Sequence, residues 1–389
     1  MASWKIHDLH DAIFGVDTRK QTGDILKGYG ATKALVVCGP NIKKLGYADE
    51  LLEIIMAAGV ECVLYVKAEG EPTGDMVNEG VRIAREEKID AIVGLGGGSS
   101  NDTAKMIGKV LANDAERAED LLGGYTALNV GTKVFSPVVL LSTTAGTGSE
   151  VSWGLMCENM DNLKKTFSVH PGTYAIIDPV YHTTLPKDIT AACGMDALAH
   201  SLESLCNSVA MPHPLADMYC KEGITASCKG LQRAYDNPDD IEARSFMAYA
   251  AMIGGSAITL RKTNLGHAVS NQLVDYYHLS HGIAVSVGLV AQLRYNVKMD
   301  THSSSLIAPC MGIPCPEGAD LVAVGQKIAD IVEKMQKDMH IPNMKELGIP
   351  KEFCDTIADN VAKDKKWAIV PNPPDFEYLR GILKEIWDA

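Results

Sequence analysis

Four side chains in the second half of this chain have the types needed to hold a cation between them. Asp196 and His200, in Gly194-Met-Asp-Ala-Leu-Ala-His200, are four apart and share one face of a helix. A carboxylate and an imidazole so spaced can grip one ion, although such a pair standing alone is more often simply hydrogen-bonded. His267 and His281 follow downstream, in Leu265-Gly-His-Ala and Leu279-Ser-His-Gly. One continuous helix would hold them roughly 21 Å apart at about 1.5 Å per residue, too far for a shared ion. A break near 278–280 is therefore required, and Gly282 and the Tyr276-Tyr277-His278 cluster supply residues for one. One Asp and three His make a donor set without thiolate, suited to Fe2+ or Zn2+ and leaving room for a substrate oxygen. For any single histidine the plainer reading is stronger; the four persuade only together.

A different chemistry is written into residues 89–105. A short β-branched apolar run leads into Gly96, Gly97 and Gly98, and Ser99, Asn101 and Asp102 then offer helix-start chemistry. Strand, glycine turn and helix N-terminus together make an anion site, because a phosphate can approach the backbone and meet free N–H groups. The spacing is neither G-x-G-x-x-G nor a Walker loop. A tight turn without a ligand is the competing reading. Residues 142–150, Ser-Thr-Thr-Ala-Gly-Thr-Gly-Ser-Glu, form a second small-residue loop after another apolar run. Two such loops at strand carboxyl ends favour a dinucleotide.

These residues must be placed by alternating elements. Strands are expected at 33–37, 61–66, 89–95 and 137–141, with helices inside 42–59, over 75–87 and from 104 to 111. That alternation implies a mostly parallel sheet covered by helices. Past 185 the chain turns helical, with helices expected near 188–208, 214–236, 239–261, 263–276, 281–298, 318–340, 343–347, 351–364 and 375–388. Asn372-Pro373-Pro374 reads as the loop before the last of these. The expected organisation is an α/β domain over 1–185 and an all-α domain over 186–389.

Composition limits the partners. A net charge of −13 argues against nucleic acid or an acidic membrane surface. No basic-then-apolar leader and no run of eighteen apolar residues is found, so a cytoplasmic protein is expected. Ten cysteines without a C-x-x-C pair suit reduced, mostly buried thiols better than a disulfide framework.

Taken together, Gly96-Gly-Gly-Ser-Ser-Asn-Asp-Thr-Ala-Lys105, Thr143-Thr-Ala-Gly-Thr-Gly-Ser-Glu-Val151, Gly194-Met-Asp-Ala-Leu-Ala-His200 and the His267/His281 pair resemble the iron-dependent (group III) alcohol dehydrogenases. The likeness runs over nearly the whole chain. It implies a dehydroquinate synthase-like fold: an N-terminal dinucleotide-binding α/β domain, a C-terminal helical domain and a cleft between them. It implies that Asp196, His200, His267 and His281 hold one divalent ion, Fe2+ or Zn2+. Gly97, Gly98 and Ser99 would touch the pyrophosphate, and Thr143 and Thr144 would lie beside the adenosine or ribose. Asp102, Thr147 and Ser149 complete the expected cofactor set. The implied reaction is hydride transfer between NAD(H), or NADP(H), and an alcohol or aldehyde, in a homodimer or larger homo-oligomer.

The departures from the family pattern bear on substrate and cofactor. Where the family carries a further histidine four residues after the third ligand, this chain has Asn271, which puts a proton relay there in doubt. Asn271 and His278 nevertheless join His267 and His281 as catalytic candidates. Gly39 stands where many relatives have an Asp for the ribose 2′-OH, so charge does not exclude NADP(H), although NAD(H) is favoured. Arg261 and Lys262 lie just ahead of His267. They suggest an anion clamp, with Asn271, for a short aldehyde such as sulfoacetaldehyde. The alternatives are a neutral short-chain, 1,3-propanediol or lactaldehyde dehydrogenase, or a non-catalytic dinucleotide sensor. A related lyase would need more basic residues than the chain offers.

Overall fold

The computed structural model describes residues 11–122, 131–161, 164–363 and 374–389. They divide into two compact units at the 183–184 bond. The first contains β1 (Asp11–Phe14), α1 (Thr22–Gly28), β2 (Lys33–Cys38), α2 (Pro40–Lys44), α3 (Tyr47–Ala57), β3 (Glu61–Tyr65), α4 (Gly74–Glu86), β4 (Ala91–Gly96), α5 (Gly98–Ala112) and β5 (Val138–Ser142). An antiparallel hairpin of β6 (Gly154–Asn159) and β7 (Lys164–Val169) follows, and then β8 (Tyr174–Ile177).

Six strands pair in parallel in the order β1-β8-β5-β4-β2-β3. Along them the side chains alternate between two cores. Leu35, Val37, Ile92, Val138 and Leu140 pack with residues of α4 and α5, whereas Val36, Val93, Leu95, Val139 and Leu141 pack with residues of α3. Covering both faces is what lets β4 and β5 be apolar at nearly every position. The four expected strands are present within two residues of their expected ends. The segment 42–59 differs: Gly46, at φ 81°, breaks it between α2 and α3. β1, β8 and the hairpin were not anticipated; β1 and β8 have four residues each, too short for a period to register.

The second unit contains α6 (Lys187–Cys206), α7 (Pro214–Asp236), α8 (Ile241–Arg261), α9 (Leu265–Tyr277), α10 (His281–Met299), α11 (Thr301–Ile307), α12 (Leu321–Asp338), α13 (Phe353–Lys363) and α14 (Phe376–Asp388). The expected helix at 343–347 is a turn instead, and α11 was not foreseen. Asn372 and Pro373, of the expected loop, lie outside the described residues. α6 is the axis of this unit, packed against α7, α8 and α10. Two close approaches bring the histidine-bearing helices to it. A Cβ on Gly288 of α10 would collide with the Gly266 carbonyl of α9, and one on Gly282 with the Ala192 carbonyl of α6. Among the described residues, no helix is long and apolar enough to cross a membrane. All ten cysteines are free thiols.

Candidate metal centre and dinucleotide loops

Asp196 and His200 stand one turn apart on α6, and the chain brings His267 and His281 to the same point. The Nε2 atoms of His200, His267 and His281 lie 3.4, 3.7 and 3.6 Å from Asp196 Oδ1. These are not hydrogen-bond lengths. They are close to the edge of a tetrahedron with bonds of about 2.1 Å, which is about 3.4 Å. Asp196 Oδ1 is buried and accepts no hydrogen bond. An ionised oxygen without a donor is costly in a protein interior unless a cation meets it, so the residues present fit a divalent ion. Asp196, His200 and His267 are buried, while the His281 side chain is 39 % exposed, which leaves the group open on that side.

The electrostatics suit the same ion. Burial pushes the His200 imidazole down to about 4, against the opposing pull of Asp196, so it is a neutral donor at ordinary pH. Burial alone would raise the Asp196 carboxyl; the three imidazoles outweigh it and hold it below the usual carboxylate range. Imidazole nitrogens and one carboxylate oxygen are the donor set that borderline divalent metals prefer.

The required break lies between α9 and α10. His278 closes α9 in the left-handed region (φ 52°, ψ 33°), and Ser280 precedes the first residue of α10, His281. His278 itself is exposed and serves the turn through its backbone. Asn271 is half-buried one turn beyond His267 and remains a candidate to face substrate.

Arg261 requires a correction. Its side chain is fully buried, donating to the carbonyls of Met211, Ser204 and His213 and pairing with Asp217 at 2.7 Å. With its fork spent on backbone and on one carboxylate, it is not an anion clamp. It secures the end of α8 instead. Lys262, exposed, sits in that turn at φ 71°, an uncommon conformation for a residue with a Cβ. Asn207 holds the turn by donating to the carbonyls of Lys262 and Thr263 at 3.2 Å each.

Sequence reasoning passed over Glu203. It is wholly buried on α6, with Oε1 accepting from His267 Nδ1 at 2.7 Å and Oε2 from the Asn264 backbone at 2.6 Å. The signal was present: Asp196, His200, Glu203 and Asn207 fall at i, i+4, i+7 and i+11 on one helical stripe.

In the α/β unit, β4 neighbours both β2 and β5, so the loops after all three meet at one edge. Cys38 is opposite Leu95, and Gly96 opposite Ser142. β2 and β4 also mark the point where the strand order reverses, the usual place for a ligand crevice in such sheets. Gly97 is extended and α5 begins at Gly98, so the first-turn N–H groups face this edge. A Cβ on Gly98 would sit 2.9 Å from Thr147, and one on Gly97 3.2 Å from Thr144. The two loops thus touch where a Cβ would crowd the facing threonine.

The other expected cofactor residues surround that contact. The Thr143 N–H donates to the Gly96 carbonyl at 2.8 Å, and Thr147 Oγ1 accepts from the Ser149 N–H. Ser99 donates to the Gly70 carbonyl. Asp102 accepts from Ser149 and from the Met156 N–H and pairs with buried Lys105, so it braces the second loop against α5. Gly39 is the N-cap of α2.

Comparison with known proteins gives a consistent picture. Residues 10–179 match the model of the family described as iron-containing alcohol dehydrogenase, and residues 190–387 that of its C-terminal domain. The chain is 33 % identical to an NAD-dependent methanol dehydrogenase of Bacillus methanolicus over 96 % of its length and 97 % of the relative's. It is 31 % identical to a choline dehydrogenase of Bacillus subtilis (strain 168), covering 90 % and 87 % of the two chains. Among solved structures it resembles a 1,3-propanediol oxidoreductase with a TM-score of 0.90 at 27 % identity, covering 98 % of this chain and 100 % of that one.

Proposed function

The chain belongs to the iron-containing alcohol dehydrogenase family, and from that premise we propose that it moves hydride between NAD(H) and a short uncharged alcohol or aldehyde at the Asp196, His200, His267 and His281 centre. The observation that carries the reading is the convergence of three imidazole Nε2 atoms on one buried carboxylate oxygen that accepts no hydrogen bond. A bound Fe2+ or Zn2+ would supply Lewis-acid polarisation of the substrate carbonyl. The chain's own part is to present three imidazole nitrogens and one carboxylate oxygen and to leave an approach beside His281. Asn271 can donate or accept a hydrogen bond but cannot carry a proton at ordinary pH, so its role is to orient substrate.

The fate of Arg261 supports an uncharged substrate: of the two cations proposed for an anion clamp, it is buried and fully engaged, and Lys262 is left exposed in the turn after α8. The 33 %-identical relative named for NAD and methanol supports the same cofactor and a small neutral alcohol. NADP(H) is a weaker second reading, supported only by the lack of a carboxylate at Gly39. Placing Asp there is a poor test of it, because a Cβ at Gly39 would lie 2.8 Å from the Ala68 carbonyl oxygen.

Asp196→Ala and His267→Ala should lose bound metal and aldehyde reduction while retaining NADH binding. Metal content, turnover of propanal and NADH fluorescence titration read the three separately. Full turnover in a metal-free His267→Ala protein would overturn the proposal.

A further inference from the structure

We propose that Glu203 is a positioning residue that selects the His267 tautomer able to bind a cation and, with its other oxygen, caps the start of α9. The inference rests on the metal-centre reading above and concerns how that centre is prepared. His267 lies between two carboxylates that compete for its one ring hydrogen. Glu203 Oε1 is 2.7 Å from Nδ1, whereas Asp196 Oδ1 is 3.7 Å from Nε2. Only the first is a hydrogen bond. A carboxylate is an acceptor only, so Nδ1 carries the hydrogen and the Nε2 lone pair is left facing Asp196. With the hydrogen on Nε2, an N–H would occupy the space a cation needs.

The second oxygen fixes the backbone that carries His267. Glu203 Oε2 accepts from the N–H groups of Asn264 (2.6 Å) and His267 (3.1 Å), two of the otherwise unpaired donors at the start of α9. Asn207, one turn further along α6, accepts from the Asn264 side chain at 2.6 Å and holds the preceding turn. One stripe of α6 therefore supplies two of the proposed ligands and then the groups that aim a third. Orienting partners of this kind change metal affinity about 10- to 100-fold when lost.

Glu203→Gln keeps the size and changes the hydrogen-bond logic. Its oxygen is needed by the two backbone N–H groups, which turns the amide NH2 toward Nδ1 and drives the hydrogen to Nε2. In metal-free protein with 15N-labelled histidine, the His267 signal, assigned by its loss in His267→Gln, should show the Nδ1–H form. In Glu203→Gln it should show the Nε2–H form, and Zn2+ affinity should fall about 10- to 100-fold. An Nε2–H form in the unsubstituted protein, or unchanged tautomer and Zn2+ affinity in Glu203→Gln, overturns the proposal. The measurement on unsubstituted protein decides even if the variant fails to fold. If the tautomer switches as stated but the unsubstituted protein binds no Zn2+ or Fe2+, the metal-centre reading fails and the role of Glu203 stands.

Discussion

A guanidinium shut away from water is tolerable only when its donors are used, and Arg261 meets that condition with three carbonyls and Asp217. Arg261→Ala should therefore act on stability. Truncation leaves the carbonyls of Met211, Ser204 and His213 without their donor. A buried group so stranded costs about 1–3 kcal/mol, to be read as a lower urea midpoint, and kcat/KM should fall alike for propanal and sulfoacetaldehyde. A selective loss on the anionic aldehyde would restore the clamp. At this scale the sequence was legible where spacing alone sets placement, as for Asp196 and His200, one turn apart on α6. It was illegible where the role depends on what a side chain is packed against. Arg261 and Glu203 are both charged residues near the centre, and only tertiary structure shows one spent on backbone and the other bonded to His267.

The turn between α9 and α10 is a matter of arithmetic, because His267 and His281, fourteen residues apart, cannot meet on one straight helix. His278 takes the left-handed conformation that ends α9, for which a residue with a Cβ is penalised by roughly 1–2 kcal/mol. His278→Gly should relieve that strain, raising the melting temperature with metal content and turnover unchanged. A fall in turnover at constant metal would return His278 to the catalytic list. A second local feature is the buried His170 after β7, which accepts from the Phe135 N–H at 3.3 Å. Burial first, and then the charges of Lys105 and Lys109, hold its imidazole down to about 3. A base depressed in the folded state contributes stability above its unfolded value, about 6.5, and loses it as pH falls toward 3. Between pH 7 and pH 5 that loss is about 2 kcal/mol, at about 1.4 kcal/mol per unit. Urea titrations at the two pH values should show a smaller drop for His170→Gln than for the unsubstituted protein. Nothing local in the sequence announces this histidine, since its burial comes from strands that only the folded sheet brings together.

The charge of the whole molecule was legible from composition alone and has a consequence for substrate choice. At −13, and with Arg261 withdrawn into the core, the protein repels an approaching anion and attracts a cation, while a neutral aldehyde is indifferent. Salt separates these cases, because the screening length shrinks from about 30 Å at 0.01 M to about 10 Å at 0.1 M. Over that range kcat/KM should stay flat for propanal, rise for sulfoacetaldehyde as repulsion is screened, and fall for betaine aldehyde as attraction is screened. Propanal should remain the best of the three at the higher salt, where contacts within the site dominate over long-range steering. An anionic aldehyde that outperforms propanal, and whose kcat/KM declines with salt, requires a positive site facing the substrate. The uncharged substrate then fails, although the metal centre, tested by the Asp196 and His267 variants, does not fail with it.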